Sequence, residues 1–139
     1  MFTDTELAYL QGRRLGRLAT ARADGGLQNS PVGFSYNPDL HTIDIGGHNM
    51  AASQKFRNVT DNGRVAFVVD DLASIQPWHV RCLEIRGRAE ALLDPPDTTS
   101  TFRGAIIRIH PQRIISFGID PDLSHGKRNV TDTPRDAGS

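Results

Sequence analysis

Cysteine, tryptophan and lysine are scarce in this chain, and its formal net charge is zero. The single cysteine, Cys82, excludes an intrachain disulfide and any cysteine-rich metal centre. His41, His48, His79, His110 and His125 show no close ligand spacing, so no metal site is expected. No apolar run approaches the roughly eighteen residues that a membrane-spanning helix needs. The first six residues, MFTDTE, lack the basic and apolar regions of a signal peptide. A cytoplasmic protein with no membrane partner is the expectation. Sixteen basic residues balance sixteen acidic ones, and the arginines are scattered among acids from Arg13 to Arg135. That pattern lacks the basic footprint of a polyanion-binding protein, so no nucleic acid is expected as a partner. Walker and dinucleotide glycine motifs are missing, and so is any Ser/His/Asp or paired-carboxylate arrangement.

What remains is one domain of 139 residues, long enough to bury a core. Thr3-Asp4-Thr5-Glu6 reads as a capping box opening a short helix that stops near Gly12. Residues 15–22 and 27–36 read as strands joined by Asp24-Gly25-Gly26, a hairpin turn. In the second of these, Pro31 argues for an edge position or a bulge. Its small face of Asn29, Pro31, Gly33 and Ser35 is either a poor outer face or room for a flat ligand against the backbone. Residues 64–70 (RVAFVVD) look like a strand buried on both faces, and residues 71–78 like a loop. Residues 79–93 form the longest strand candidate, with Gly87 expected to mark a bulge where it bends. A last strand pair or bent strand spans residues 105–117, broken at His110-Pro111. Short strands with hairpin punctuation and no crossover helices predict a mainly β fold, a small antiparallel barrel. The domain is read as residues 1–118, and residues 119–139, rich in Asp, Pro, Gly and charge, as a flexible tail.

The densest chemistry lies in residues 43–59, IDIGGHNMAASQKFRNV. An alternating strand runs through two glycines into a short helix anchored by Met50, Phe56 and Val59. Such a junction presents unpaired backbone N–H groups at a positive helix end. Ser53, Lys55 and Arg57 add donors there, which suits one phosphate; a plain connector with solvated charges also fits. Lys55 stands out because the chain holds fourteen Arg and only two Lys. A lysine acts on phosphate as a mobile point charge.

The order of these pieces resembles a known family, the split β-barrel flavin proteins related to pyridoxamine 5′-phosphate oxidase, and within it the branch using the deazaflavin coenzyme F420. The residues carrying the resemblance are Arg17-Leu18-Ala19-Thr20 with Asp24-Gly25, Pro31-Val32-Gly33-Phe34, Ile43-Asp44-Ile45-Gly46-Gly47, Lys55-Phe56-Arg57-Asn58-Val59 with Arg64-Val65-Ala66-Phe67-Val68, and Glu84-Ile85-Arg86-Gly87-Arg88-Ala89-Glu90. The resemblance implies a six-stranded antiparallel split barrel of the FMN-binding type. It implies a homodimer with two equivalent cofactor sites at the subunit interface. Lys55 would contact the cofactor phosphate, with Ser53, Arg57 and Gly47 beside it. Many relatives carry an Arg one or two positions before that Lys, where this chain has Ser53 and Gln54. Asn29, Pro31 and Val32 would neighbour the ring system, and Trp78 would form a wall supplied by the other subunit.

The implied reaction is hydride transfer between reduced F420 and an electron-poor C=C or C=N bond of a small molecule. The alternatives are an FMN-binding oxidase or flavin reductase, and a non-catalytic carrier of a cofactor or haem. No catalytic residue is assigned; His48, His79 and Tyr36 are the candidates for a proton donor.

Overall fold

A capped helix, a barrel seam and two hairpins set the architecture. The computed structural model describes residues 1–97, 102–121 and 123–130. Helix α1 (Asp4–Gln11) opens with the expected capping box: the Thr3 hydroxyl accepts from the Glu6 N–H, and the Glu6 carboxylate accepts from the Thr3 N–H at 3.0 Å. Strands β1 (Leu15–Ala21) and β2 (Leu27–Asn37) form the first hairpin, turned at Gly25 with φ +92°. Strand β3 (Thr42–Gly46) follows a turn in which the Asn37 side chain accepts from the N–H groups of Asp39 and Leu40. A single 3₁₀ turn (Met50–Ala52) leads to helix α2 (Gln54–Asn62), capped by Ser53 and ended by Gly63 at φ +69°. The long strands β4 (Arg64–Ser74), β5 (His79–Leu92) and β6 (Ile106–Asp120) come next, then β7 (Leu123–Asn129).

The strands run antiparallel in the order β3-β2-β1-β4-β5-β6, and β3 pairs again with β6 through Ile43–Ile109, Asp44–Arg108 and Ile45–Ile107. Six strands therefore close on themselves, which removes most open edges. The first half of β6 pairs with β3 and the second half with β7. Inside the ring, Leu18, Ile43, Ile45, Phe67, Leu83, Ile85, Ile107, Ile109 and Ile114 are fully buried. Each contributes about 1.5–3 kcal/mol of apolar burial. Helix α1 adds Tyr9 and Leu10 to this core, and α2 adds Phe56 and Val59.

Several expectations are corrected. Residues 123–129 are a strand rather than part of a flexible tail, because the second half of β6, from Arg113 to Asp120, offers β7 a free edge to pair with. Residues 131–139 lie outside the described residues. Strand β4 alternates: Val65, Phe67 and Val69 are buried while Ala66 and Val68 are half-buried on the outer face. It also extends to Ser74, shortening the expected loop. Strand β6 passes through His110-Pro111 unbroken. The irregularity at Gly87 is real, but the extra residue is Gln112 on β6, since Arg86 pairs with Arg113 and Gly87 with Pro111. Gly87 is needed for close approach, as a Cβ there would sit 2.2 Å from the His110 carbonyl. Pro31 fits the expected edge: residues 27–32 of β2 pair only with β1. No helix among the described residues is long and apolar enough to cross a membrane.

Candidate functional site

Register places small side chains side by side on the outer face of the sheet. One row across β2, β1, β4 and β5 is Asn29, Ala19, Ala66 and Arg86; the next is Pro31, Arg17, Val68 and Glu84. Alanine and proline make a low, apolar floor. The rim is charged and internally paired, with Arg17 donating to Asp70 at 2.6 Å and Arg86 to Glu84 at 2.8 Å. A depression of about 260 Å³ lies over Arg17, Ala19, Asn29, Ala66, Phe67, Val68 and Glu84. A second, of about 350 Å³, shares Ala19 and Ala66 and is walled by Arg64, Arg86 and Arg88. Such a floor accepts a flat ring, and its half-buried apolar atoms favour being covered.

Helix α2 is tied to the same two strands by a chain of side-chain amides. The Asn58 amide donates to Thr20 Oγ1 at 3.0 Å and to Gln28 Oε1 at 3.2 Å. Gln54 donates to Asn58 at 2.7 Å, and Arg57 donates to Gln54 Oε1 and the Ala52 carbonyl, both at 2.9 Å. Arg57 is thus folded back over its own helix. It also lines a polar depression of about 250 Å³ with Arg22, Asp24 and Asp61. The Ser53 hydroxyl is committed to the cap, accepting from the Phe56 N–H and donating to the Met50 carbonyl at 2.7 Å. Lys55 differs from both. Its half-buried side chain has no hydrogen bond or ion pair among the described residues, and the backbone N–H groups of Gln54 and Lys55 at the helix start are likewise unpaired there. Unpaired N–H groups beside a free ammonium at a positive helix end suit an anion.

Among the residues expected from the sequence, Asn29 and Pro31 share the outer floor, and Gln28 beside Asn29 bonds to α2, which carries Ser53, Lys55 and Arg57. Val32 does not join them, because its side chain alternates to the opposite face and is buried in the core. It can meet a ligand only through its backbone. Gly47 is exposed with open space where a Cβ would go, apart from Met50 Cε at 3.8 Å. The tight glycine is Gly46, and the left-handed residue of the turn is Asn49 at φ 53°. Trp78 is 68% exposed in the β4–β5 turn, six residues along the chain from Glu84, so one copy of the chain does not bring it to the floor. Of the proton-donor candidates, Tyr36 is hydrogen-bonded to His41 Nδ1 at 2.8 Å, and burial pushes its phenol above the usual range. His79 Nε2 lies 2.7 Å from the Gly118 carbonyl, and His48 is exposed. Ala19 and Ala66, the centre of the floor, carry no chemical signal in the sequence; their pairing across β1 and β4 reveals them.

A family model described as Pyridoxamine 5′-phosphate oxidase matches residues 2–118. The chain belongs to that family. It is 44% identical over 138 residues to the 5a,11a-dehydrotetracycline/5a,11a-dehydrooxytetracycline reductase of Streptomyces rimosus, a match spanning 99% of this chain and 97% of that protein. Two solved structures share the fold. A conserved hypothetical protein from Mycobacterium tuberculosis has a TM-score of 0.67 at 20% identity, over 96% of this chain and 95% of the other. A protein described as FAD binding from Mycobacterium smegmatis has a TM-score of 0.64 at 18% identity, over 93% and 98%. The split barrel of this family member is therefore one that also occurs in a flavin-binding protein, and its 44% identical relative is a reductase.

Proposed function

We propose that the protein is an F420-dependent reductase that delivers a hydride to an electron-poor C=C bond of a small molecule, acting as a homodimer with two sites at the subunit interface. The observation that carries this reading is the 44% identity, along nearly the whole of both chains, with a reductase of 5a,11a-dehydro compounds. The residues fit such a cofactor. Lys55 and the free N–H groups of α2 offer an anion a cradle, and the Ala19–Ala66 floor offers a flat ring an apolar bed.

When bound, the deazaflavin supplies the hydride. The chain's own part is to bind and orient. Lys55 holds the phosphate end, Ser53 shapes the helix start, and Arg57 keeps the amide chain to Thr20 and Gln28 in place. Asn29 and Pro31 would neighbour the ring, and a second copy would cover the half-buried Ala66 and Val68 and supply Trp78 as a wall of the site. Excluding water from that floor strengthens the electrostatic contacts within it. The proton that completes reduction comes from water, because Tyr36 packs on the core face of β2, opposite the floor.

The test is a titration of the purified protein with F420 and FMN, followed by assay with reduced F420 and a panel of enones, quinones and biliverdin. Micromolar F420 binding, consumption of an enone and a dimeric mass are expected. A tightly held yellow FMN would overturn the cofactor assignment. Cofactor binding without turnover would favour a carrier.

A further inference from the structure

Two described residues between β5 and β6, Asp97 and Phe102, lie at the outer face of β3. Ile43 and Ile45 face the core, while Thr42, Asp44 and Gly46 alternate along the outer face, and all five are buried. Asp44 stands directly across the barrel seam from Arg108, whose guanidinium donates to both carboxylate oxygens at 3.0 and 3.1 Å. Thr42 Oγ1 and Asn37 Nδ2 complete the shell at 2.9 and 3.2 Å. Arg108 Nη1 then reaches out to the Asp97 carboxylate at 3.0 Å, and Asn37 Nδ2 donates to the Asp97 carbonyl at 3.1 Å. Farther along the chain, the Phe102 ring lies on Gly46, so close that a Cβ there would fall 2.3 Å from it.

An ion pair at this depth is a poor device for stability alone, because desolvation cancels much of its attraction and a packed apolar pair would serve as well. Its geometry does something else. It fixes Asp97 near the buried Asp44, so that Asp97 and Arg108 together clamp the middle of β3. Phe102 separately presses on Gly46, the residue at which β3 ends and the turn toward α2 begins.

We propose that Asp97, Arg108 and Phe102 are positioning residues: the first two hold β3 at Asp44, Phe102 holds it at Gly46, and together they set the turn that leads to the N-terminus of α2 and Lys55. This deepens the cradle reading and rests on it. None of the three touches the bound anion; they act through the backbone of residues 46–53.

The test uses Asp97→Asn and Phe102→Ala in the full chain, since Asp97 is half-exposed and its change leaves the Asp44–Arg108 pair intact. Amide hydrogen exchange of residues 47–55 is measured without cofactor, and KM and kcat are measured with F420. Glu6→Gln, whose carboxylate pairs with Arg128 and not with this network, serves as a stability control. Exchange should speed up about fivefold or more in both variants and not in the control. KM for F420 should rise about tenfold with kcat little changed, and Phe102→Leu should restore most of both. Unchanged exchange at residues 47–55, or an equal change in Glu6→Gln, would overturn the proposal. If the wild type shows no Lys55-dependent F420 binding, the cradle reading fails separately, while the exchange result still decides whether these residues set the turn.

Discussion

Arg128 on β7 donates to both oxygens of the buried Glu6 carboxylate on α1, at 2.5 and 3.0 Å, joining the last strand to the first helix. Two further bonds run from Arg128 to the Met1 carbonyl. Burial pushes the Glu6 carboxyl up, but the Arg128 and Thr3 donors outweigh it and hold the group below its ordinary value. Removing the guanidinium leaves a buried charge without its partner. Because Arg128 is a third exposed, Arg128→Ala should cost about 2 kcal/mol, below the range for a fully buried pair. Truncation after residue 118 should cost at least as much, by urea unfolding. A truncated chain as stable as the full one would show that β7 is dispensable.

A second ionic cluster predicts the acid behaviour. Asp71 accepts from Arg81, from Tyr9 at 2.8 Å and from Arg13 at 2.6 Å, and the Tyr9 ring lies 5.3 Å from each guanidinium carbon. The Arg81 hydrogen bond, more than any other contact, holds the Asp71 carboxyl at about 2 against an ordinary 3.8. A depressed pKa means stability fully present above the unfolded value and lost as pH falls through the folded one. About 1–2 kcal/mol should therefore disappear between pH 4 and pH 2. Asp71→Asn should be less stable at pH 7 and show a flatter decline over that window in thermal melts. A parallel decline would assign the acid sensitivity elsewhere.

The two glycines after β3 should respond differently. Gly46→Ala drives a methyl into the Phe102 ring and should destabilise by about 1–3 kcal/mol, as overpacking does. Gly47→Ala meets only Met50 Cε at 3.8 Å and should change stability by less than about 0.5 kcal/mol. Equal losses at the two positions, by chemical denaturation, would place the constraint in the backbone rather than in Phe102.

Lys55 and Arg57 are also expected to separate. Lys55→Ala should weaken cofactor binding by about 1–3 kcal/mol, the range for a charge-assisted hydrogen bond. Arg57→Ala should weaken it less, because that guanidinium is spent on Ala52 and Gln54. The dissociation constants of the two variants decide; a larger loss at Arg57 would reverse the roles.

Much of this protein was legible in its residues alone. Local rules sufficed for the capping box at Thr3 and Glu6, the Gly25 turn, the presence of a short helix after the two glycines that close β3, and the alternating faces of β5, because each depends on neighbours within a few positions. The start of that helix at Ser53, after a separate turn at Met50, was not among them. The family followed from the order of short motifs. Tertiary structure decided the rest. Asp44 reads as an outward polar residue on an alternating strand, yet it is fully buried, since only the fold brings Arg108 and Asp97 to it from sixty-four and fifty-three positions away. Residues 123–129 read as tail because their partners, the free edge of β6 and Glu6, lie elsewhere in the chain. The Ala19–Ala66 floor was silent for the same reason. A small residue declares nothing by itself, and becomes a surface only when register sets it beside another.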